Sequence, residues 1–272
     1  MNYWICTTCG TEFAQSEKPP TGCPICQDQR QYIGHEGQKW TTLASMQAGG
    51  FHNAFKEYEP RLTGIGTEPS FAIGQRALLV QTDQGNVLWD CISYLDEDTV
   101  AAIQQRGGLK AIAISHPHFY TTMLEWAERF DARVYLHEAD RRWVMRPGDR
   151  ITFWPGETLS LMDDITLVRL GGHFAGSTVL YWKSGADGKG ALLTGDTIQV
   201  VADHNWVSFM YSYPNFIPLP ASEISRIRDL IAHYSFERLY GMRFESVIAA
   251  DAKNAVMKSA DRYARALEQR LS

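Results

Sequence analysis

The chain has 272 residues, of which 44% are hydrophobic and 21% are charged, and its formal net charge is −5. This composition excludes a disordered chain and supplies enough apolar residues to build a core. The negative charge argues against general binding to nucleic acids. No apolar run approaches the roughly 18 residues of a membrane-spanning helix, and the first residues lack the basic-then-apolar pattern of a secretion signal. We therefore expect a cytoplasmic protein that does not associate with membranes.

Four of the five cysteines lie within the first 26 residues, in two Cys-x-x-Cys pairs. Cys6 and Cys9 form the first pair, and Cys23 and Cys26 form the second. Each pair supplies two thiolates from one tight turn, and four thiolates are a ligand set of structural zinc. Two disulfides or a redox pair of free thiols are the alternatives, and a cytoplasmic location disfavours the disulfides. The sequence therefore predicts a metal site formed by four cysteines.

The cysteine segment resembles a rubredoxin-like zinc ribbon, with Cys-x-x-Cys-Gly and Cys-Pro-x-Cys as its two knuckles. Rubredoxins hold iron in the same sulfur cage and transfer electrons, so the resemblance leaves the metal open. Zinc is the expected ion, because it suits four thiolates and leaves no open coordination position. The resemblance implies that this module stabilises a fold or docks a protein partner.

Residues 31–50 are polar and rich in glycine, which predicts either a linker or a segment that lies against the rest of the molecule, with Trp40 as its anchor. We accordingly divide the chain into two predicted parts. Residues 1–45 form the ribbon and linker, and residues 46–272 form one large domain.

Within the large domain, short apolar runs alternate with turns. Residues 76–81 and 86–91 predict a hairpin joined at Asp83-Gln84-Gly85. Thr122 and Glu125 form a capping-box pattern for a helix that runs to about Phe130. Further helices are predicted at 96–106, 222–233 and 252–271, and further strands at 111–114, 134–136, 166–170, 178–182 and 191–194. Hairpins together with βα units indicate sheets covered by helices.

Three histidines and an aspartate stand where predicted strands end. His116 and His118 follow the buried strand at 111–114, and two imidazoles at i and i+2 on an irregular turn can bind one metal. His173 lies in a glycine-rich turn, and Asp196 follows the strand at 191–194. Catalytic groups and ligands collect at such strand ends, so we expect these four side chains to form a metal site with room for water.

The order of three motifs resembles the metallo-β-lactamase superfamily. The motifs are His-x-His after a strand, Gly-Gly-His followed by Gly-Ser, and Thr-Gly-Asp. The resemblance runs from about Gly74 to the C-terminus and implies a four-layer αβ/βα sandwich with its metals at one edge. The predicted fold class is therefore α+β, a metallo-β-lactamase sandwich preceded by a small rubredoxin-like zinc ribbon.

The chain departs from the family's His-x-His-x-Asp-His motif at two positions. Tyr120 replaces the aspartate and Thr121 replaces the histidine, and both of the replaced residues would hold the second metal. The late histidine expected near the last strand is also missing, since residues 239–243 contain no imidazole. The resemblance therefore implies that only the first metal site survives.

A mononuclear site is the natural expectation for the surviving ligands, His116, His118 and His173. Zinc held by three imidazoles lowers the pKa of bound water to about 7, so hydrolysis needs no second metal. Asp196 is predicted to orient the water or to serve as a fourth ligand. Tyr120 is predicted to donate a hydrogen bond to an oxyanion or to act as a general acid. The alternative is an eroded site that is kept only as a scaffold.

Several other residues have weaker patterns. His204 is a candidate for the vacated second site but is more typical of a solvated loop, and His137 is more typical of a structural or exposed residue. The aromatic-rich residues 206–216 either line the pocket or pack against the rest of the molecule. Cys91 is predicted to be a small buried residue.

The sequence leaves three functions open. The leading one is a metal-dependent hydrolase whose small-molecule substrate is unknown. The second is a mononuclear iron oxidoreductase that receives electrons from the rubredoxin-like module. The third is a non-catalytic binding protein whose ribbon docks a partner.

Overall fold

A computed structural model describes residues 1–268 of the chain. It divides into two compact units, the first spanning Met1–Trp154 and the second beginning at Pro155. The boundary between residues 45 and 46 stays a prediction. Across the described residues, every helix is too short or too polar to cross a membrane.

The first unit opens with the cysteine-bearing segment, which contains little regular structure. Strand β1 (Ile5–Cys6) pairs antiparallel with β2 (Trp40–Thr41), and α1 (Pro24–Gln27) carries part of the second cysteine pair. Helix α2 (Leu43–Ala48) begins at the Thr42 cap. Residues 31–50 therefore contain two short regular elements, β2 and α2. The ring of Trp40 packs edge-on against Phe13 at 4.9 Å.

A mixed sheet of seven strands, arranged in sequence order, follows in the first unit. The antiparallel strands are β3 (His52–Glu59), β4 (Leu62–Glu68), β5 (Arg76–Thr82) and β6 (Gly85–Trp89). The parallel strands are β7 (Ala111–Ala113), β8 (Arg133–His137) and β9 (Ile151–Trp154). The predicted hairpin is β5 and β6, and the pairing of Thr82 with Gly85 places a two-residue turn between them. Strand β3 was not predicted, because its polar side chains conceal the strand pattern.

Two helices cross over between the parallel strands of this sheet. Helix α3 (Glu97–Gln105) begins where the Asp96 carboxylate accepts a hydrogen bond from Thr99 N at 2.8 Å, and the chain turns away at Gly107 with φ 104°. Both ends agree with the predicted helix.

Helix α4 (Met123–Phe130) also agrees with its prediction, but its predicted capping box does not form. Thr122 Oγ1 instead donates to the carbonyls of Ile92 and Ser93, at 3.2 and 3.0 Å. The hydroxyl therefore holds the loop that follows β6, and tertiary contacts override the local pattern.

The second unit is built on a sheet with spatial order β10-β11-β12-β13-β18-β19. Its first four strands are β10 (Thr158–Met162), β11 (Ile165–Arg169), β12 (Thr178–Trp182) and β13 (Ala191–Gly195), with the short α5 (Gly185–Gly188) before β13. Two small ribbons follow, β14 (Gln199–Val200) with β15 (Val207–Ser208), and β16 (Met210–Ser212) with β17 (Ile217–Pro218). The last strands are β18 (Arg238–Gly241) and β19 (Val247–Ile248), and β18 runs parallel to β13.

Helices α6 (Ala221–Ala232) and α7 (Ala252–Leu267) cover the core of the second unit. In α6 the buried residues Ile224, Ile227 and Ile231 recur at spacings of three and four, as the predicted helix requires. Burying each such side chain contributes about 1.5–3 kcal/mol to stability. Residues 269–271, the end of the predicted C-terminal helix, lie outside the described residues.

Candidate metal centres

The structure brings the four N-terminal cysteines together as free, buried thiols. The sulfurs of Cys6 and Cys26 are 3.6 Å apart, and those of Cys9 and Cys23 are also 3.6 Å apart. A disulfide would require about 2.05 Å. A tetrahedron with metal–sulfur bonds of about 2.3 Å has edges of about 3.8 Å. The four sulfurs therefore fit a tetrahedral metal ion and do not form disulfides.

The four neighbouring thiols shift one another's pKa values. Hydrogen bonds from the other thiols, that of Cys23 first, hold the pKa of Cys6 far below its usual range. The same crowding raises the pKa of Cys9 and of Cys26. Gln38 Nε2 donates a hydrogen bond to Cys6 Sγ at 3.1 Å. The cluster therefore favours a thiolate at Cys6, and a divalent cation would favour ionisation of the others.

His116 and His118 lie at the end of β7, on a turn that continues into a 3₁₀ helix, Pro117–Phe119. Both side chains are buried, and their ring centroids are 5.1 Å apart. Ser115 N donates to Asp90 Oδ1 at 2.7 Å, which holds the end of the strand, and Ser115 Oγ is 2.9 Å from His116 Nδ1. Ser115 and Asp90 therefore position the histidine turn, a role that the sequence pattern did not reveal.

His173 is oriented by backbone groups of β16. Its Nδ1 lies 2.9 Å from the carbonyl oxygen of Tyr211 and 3.2 Å from that of Met210. A carbonyl oxygen only accepts hydrogen bonds, so Nδ1 carries the proton and Nε2 keeps a lone pair for a metal. The preceding Gly172 has φ 77°, and a Cβ there would lie 2.8 Å from Leu219. The turn before His173 therefore requires glycine.

Asp196 follows β13 and is 5% exposed. Burial raises the pKa of its carboxyl to about 7, although the charge of Arg243 acts in the opposite direction. Tyr213 donates from its hydroxyl to the carbonyl oxygens of Asp196 and Ser208, at 2.9 and 3.3 Å. The buried carboxyl can thus exchange a proton near neutral pH, and a cation bound to it would favour its charged form.

Together these residues form a second group of candidate ligands, His116, His118, His173 and Asp196. His116 and His118 belong to the first unit and His173 and Asp196 to the second, and all four side chains are buried. Imidazole and carboxylate donors suit zinc and also iron. The donor set therefore fits a single divalent ion.

No family model matches the sequence. Uncharacterized protein YmaE of Bacillus subtilis (strain 168) is 53% identical over 272 residues, which cover 100% of this chain and 99% of that protein. The chain belongs to the YmaE family. This relationship spans both compact units and both groups of candidate ligands.

The structure of this YmaE-family chain is similar to solved metallo-β-lactamases. The DIM-1 metallo-β-lactamase has a TM-score of 0.58 at 16% identity, with coverage of 78% of this chain and 98% of the other. FIM-1 from Pseudomonas aeruginosa has a TM-score of 0.57 at 12% identity, with coverage of 78% and 96%. The enzyme from Hirschia baltica has a TM-score of 0.54 at 12% identity, with coverage of 78% and 97%. The predicted fold class, α+β with the metallo-β-lactamase fold, is confirmed.

In this YmaE-family chain, the two positions that depart from the superfamily motif lie in the buried turn after His118. Tyr120 is 2% exposed, and burial, with the charge of Asp140 adding to it, raises the pKa of its hydroxyl well above the usual range. Thr121 has φ 32°, which is uncommon for a β-branched residue, and its carbonyl accepts a hydrogen bond from Glu12 N at 3.0 Å. Thr121 therefore contacts the N-terminal segment.

The structure also describes the surroundings of the residues with weaker patterns. His204 is exposed, whereas His137 accepts a hydrogen bond from Ala139 N at 3.2 Å and packs edge-on against Trp154. Cys91 is fully buried, which confirms its prediction, and burial raises the pKa of its thiol to about 12.

The aromatic-rich stretch contributes to both the core and a candidate ligand's orientation. Phe209 belongs to the buried core of the second unit, while the neighbouring backbone carbonyls orient His173. The sequence contained no signal for the contact with His173, because every residue carries a backbone carbonyl and the residue type does not show which one is used.

Proposed function

We propose that this YmaE-family protein is a metal-dependent hydrolase with one metal ion at His116, His118, His173 and Asp196. The observation that carries the proposal is that all four donor side chains are buried, and that a backbone carbonyl holds His173 in its metal-ligating form. Zinc bound to such donors supplies a Lewis acid and lowers the pKa of water to about 7. The proposed substrate is a small molecule, and the fold by itself assigns no substrate class.

The chain's own groups have distinct parts in this proposal. The carbonyl of Tyr211 keeps a proton on His173 Nδ1 and so maintains the ligating tautomer. Asp196 serves as a fourth ligand or accepts a hydrogen bond from the attacking water and so orients it. Tyr120 keeps its proton at all physiological pH values, since its pKa is raised. We propose that this hydroxyl donates a hydrogen bond to a developing oxyanion.

A single metal is proposed because Tyr120 and Thr121 stand where the superfamily has ligands for a second one. FIM-1, which shares the fold, has been solved in a mono-zinc form. We propose zinc for this site and a structural zinc for the four cysteines, in a zinc ribbon that also docks a protein partner. The proposed location is the cytoplasm, because cysteine ligands must stay reduced and the cytoplasm keeps thiols reduced.

Metal analysis of protein purified without added metal tests the proposal. We expect about two zinc ions per chain in the wild type and about one in His118→Ala, because a three-donor remnant binds weakly. His204→Ala, which alters an exposed histidine, is the matched control and should retain the wild-type content. Undiminished metal in His118→Ala would overturn the metal site.

The identity of the metal and the activity decide between the remaining alternatives. Iron at the histidine group would favour the oxidoreductase over the hydrolase. A zinc-loaded protein that cleaves no ester, thioester, amide or phosphodiester in a substrate panel would favour the non-catalytic binding protein.

A further inference from the structure

One side chain contacts both the first cysteine knuckle and the histidine turn. Gln75, which immediately precedes β5, is buried, with 7% of its surface exposed. Its Nε2 donates to the carbonyl oxygen of Cys9 at 2.8 Å and to that of His118 at 3.0 Å. A primary amide has two N–H hydrogens, so each carbonyl receives one. Gln75 thus links a residue of each candidate metal centre within the first unit.

Two further hydrogen bonds join the same segments of chain. Ser93 Oγ donates to the carbonyl of Gly10 at 3.0 Å, and Glu12 N donates to the carbonyl of Thr121 at 3.0 Å. A Cβ at Gly10 would lie 2.3 Å from Ser93 Oγ, so the approach is too close for any other residue. Residues 9–12 therefore contact the histidine turn and its supporting loop directly at two points, and Gln75 bridges them at a third.

We propose that Gln75 is a positioning residue that couples metal binding at the four cysteines to metal binding at the histidines. This inference rests on the proposed function, because it requires a metal at the histidine group. A metal at the cysteines holds the Cys9 knuckle in place, and the amide of Gln75 transmits that position to the backbone of His118. A buried carbonyl that loses its hydrogen-bond donor raises the free energy of the folded state. The carbonyls of Cys9 and His118 therefore keep the spacing at which the Gln75 amide reaches both.

The coupling has a thermodynamic consequence that can be measured. Metal at the cysteines increases metal affinity at the histidines, and by linkage the reverse holds by the same factor. Loss of a residue that orients metal ligands typically weakens metal binding about 10–100-fold. Gln75 acts through the backbone of one ligand, so we expect about a tenfold effect, at the lower end of that range.

Cobalt binding distinguishes the two centres in one sample. With the cysteines loaded with zinc, Co²⁺ at the histidines is followed by its visible absorption during competition with a chelator. Gln75→Met removes both donors at similar side-chain length and should raise the cobalt dissociation constant about tenfold. The control is Gln81→Met on the neighbouring strand β5, because Gln81 Nε2 donates to the carbonyl of Arg106, at 3.2 Å. The control should bind cobalt like the wild type, and equal dissociation constants in both variants would overturn the proposal.

A second readout separates failure of the coupling from failure of the proposed function. In a His173→Ala background, zinc binding at the cysteines should shift the backbone amide resonances of residues 116–122. Gln75→Met should reduce these shifts, most strongly at residues 118 and 119, whereas Gln81→Met should keep them. Shifts of wild-type size in Gln75→Met would contradict the role of Gln75 in the coupling, whether or not the histidines bind metal. If the wild type binds no cobalt at the histidines, the proposed function fails, and these shifts still decide whether the segments are coupled.

Circular dichroism and denaturant unfolding establish that each variant is folded. If Gln75→Met does not fold, Gln75→Asn replaces it, because the shorter amide cannot reach both carbonyls. The same loss of cobalt affinity and of amide shifts is expected for Gln75→Asn.

Discussion

The ligating form of His173 depends on the backbone rather than on neighbouring side chains. The carbonyls of Met210 and Tyr211 hold the proton on Nδ1, and substitution at those positions leaves a carbonyl in place. The sensitive residue is Gly172, whose positive φ and close packing against Leu219 set the direction of the turn. Side-chain changes around His173 should therefore matter less than a change at this glycine.

We expect Gly172→Ala to destabilise the protein and to weaken metal binding at the histidines. The added methyl group would lie 2.8 Å from Leu219 Cδ1, in addition to the cost of a positive φ. Gly156→Ala has a similar φ, 85°, with nothing within 4 Å, and so isolates the conformational cost. Denaturant unfolding should show an additional loss of about 1–3 kcal/mol in Gly172→Ala. Equal losses in the two variants would show that the close contact is relieved without cost.

At the scale of elements, one arginine attaches the N-terminal segment to helix α4. Arg146 hydrogen-bonds to Glu12 of that segment and to Glu125 and Glu128 of the helix, and its guanidinium lies 3.8 Å from the ring centroid of Tyr3. The single positive charge of Arg146 cannot neutralise three ionised carboxylates. Glu12 is the most buried of the three, and burial raises its pKa to about 7 despite the attraction of Arg146.

This pKa predicts how stability depends on pH. Because the folded-state pKa of Glu12 lies above the ordinary value of 4.5, the folded protein binds more protons than the unfolded chain between those values. The contribution of Glu12 to stability is therefore present at low pH and is lost as pH rises through about 7. Glu12→Gln, which cannot ionise, should gain stability relative to the wild type between pH 5 and pH 8, by up to about 3 kcal/mol.

Unfolding free energies at several pH values test this expectation. Glu128→Gln is the control, because the Glu128 side chain is 54% exposed and contacts the same arginine. Its stability difference from the wild type should change little with pH. A flat profile for Glu12→Gln would show that Arg146 keeps Glu12 ionised in the folded protein.

At the scale of the whole molecule, the cysteine segment contains few buried apolar side chains. Ile5 packs with Met46 and Tyr94, and Phe13 and Ile25 are also buried. The second unit contains an extended core that includes Val179, Leu192 and three isoleucines of α6. A segment with so few buried apolar groups commonly depends on a metal for stability.

We expect Cys23→Ser to lower the metal content by about one ion per chain and to loosen residues 1–30 selectively. Hydrogen exchange measured by segment should show lost protection there, with protection retained in strands β11 to β13. Cys91→Ala is the control, since Cys91 is equally buried but lies outside both candidate metal groups of the described chain. Retained metal and retained protection in Cys23→Ser would contradict a structural role for the cysteine cluster.

Many helices and strands could be predicted from the sequence, because local patterns of residues indicate where they begin and end. The hairpin β5–β6, helix α3 between Asp96 and Gly107, and the isoleucine spacing of α6 each follow from turn residues, caps or periodicity. The polar strand β3 escaped prediction although it pairs with the next strand, β4, because its polar side chains conceal the strand pattern. Strand β2 escaped because it pairs with β1, which lies far away in the sequence. The Thr122 capping box failed for the related reason that its hydroxyl bonds to a loop distant in sequence.

The sequence by itself determined which residues could carry chemistry: two cysteine pairs, a His-x-His turn, one further histidine and one aspartate, each at a recognisable position in a local motif. Tertiary structure alone decided how they are held. The Tyr211 carbonyl on His173, the Asp90 carboxylate that holds Ser115, and the Gln75 amide that spans Cys9 and His118 all join residues at least 25 positions apart. Such contacts leave no periodic trace in the sequence, because only the folded chain brings their donors and acceptors together.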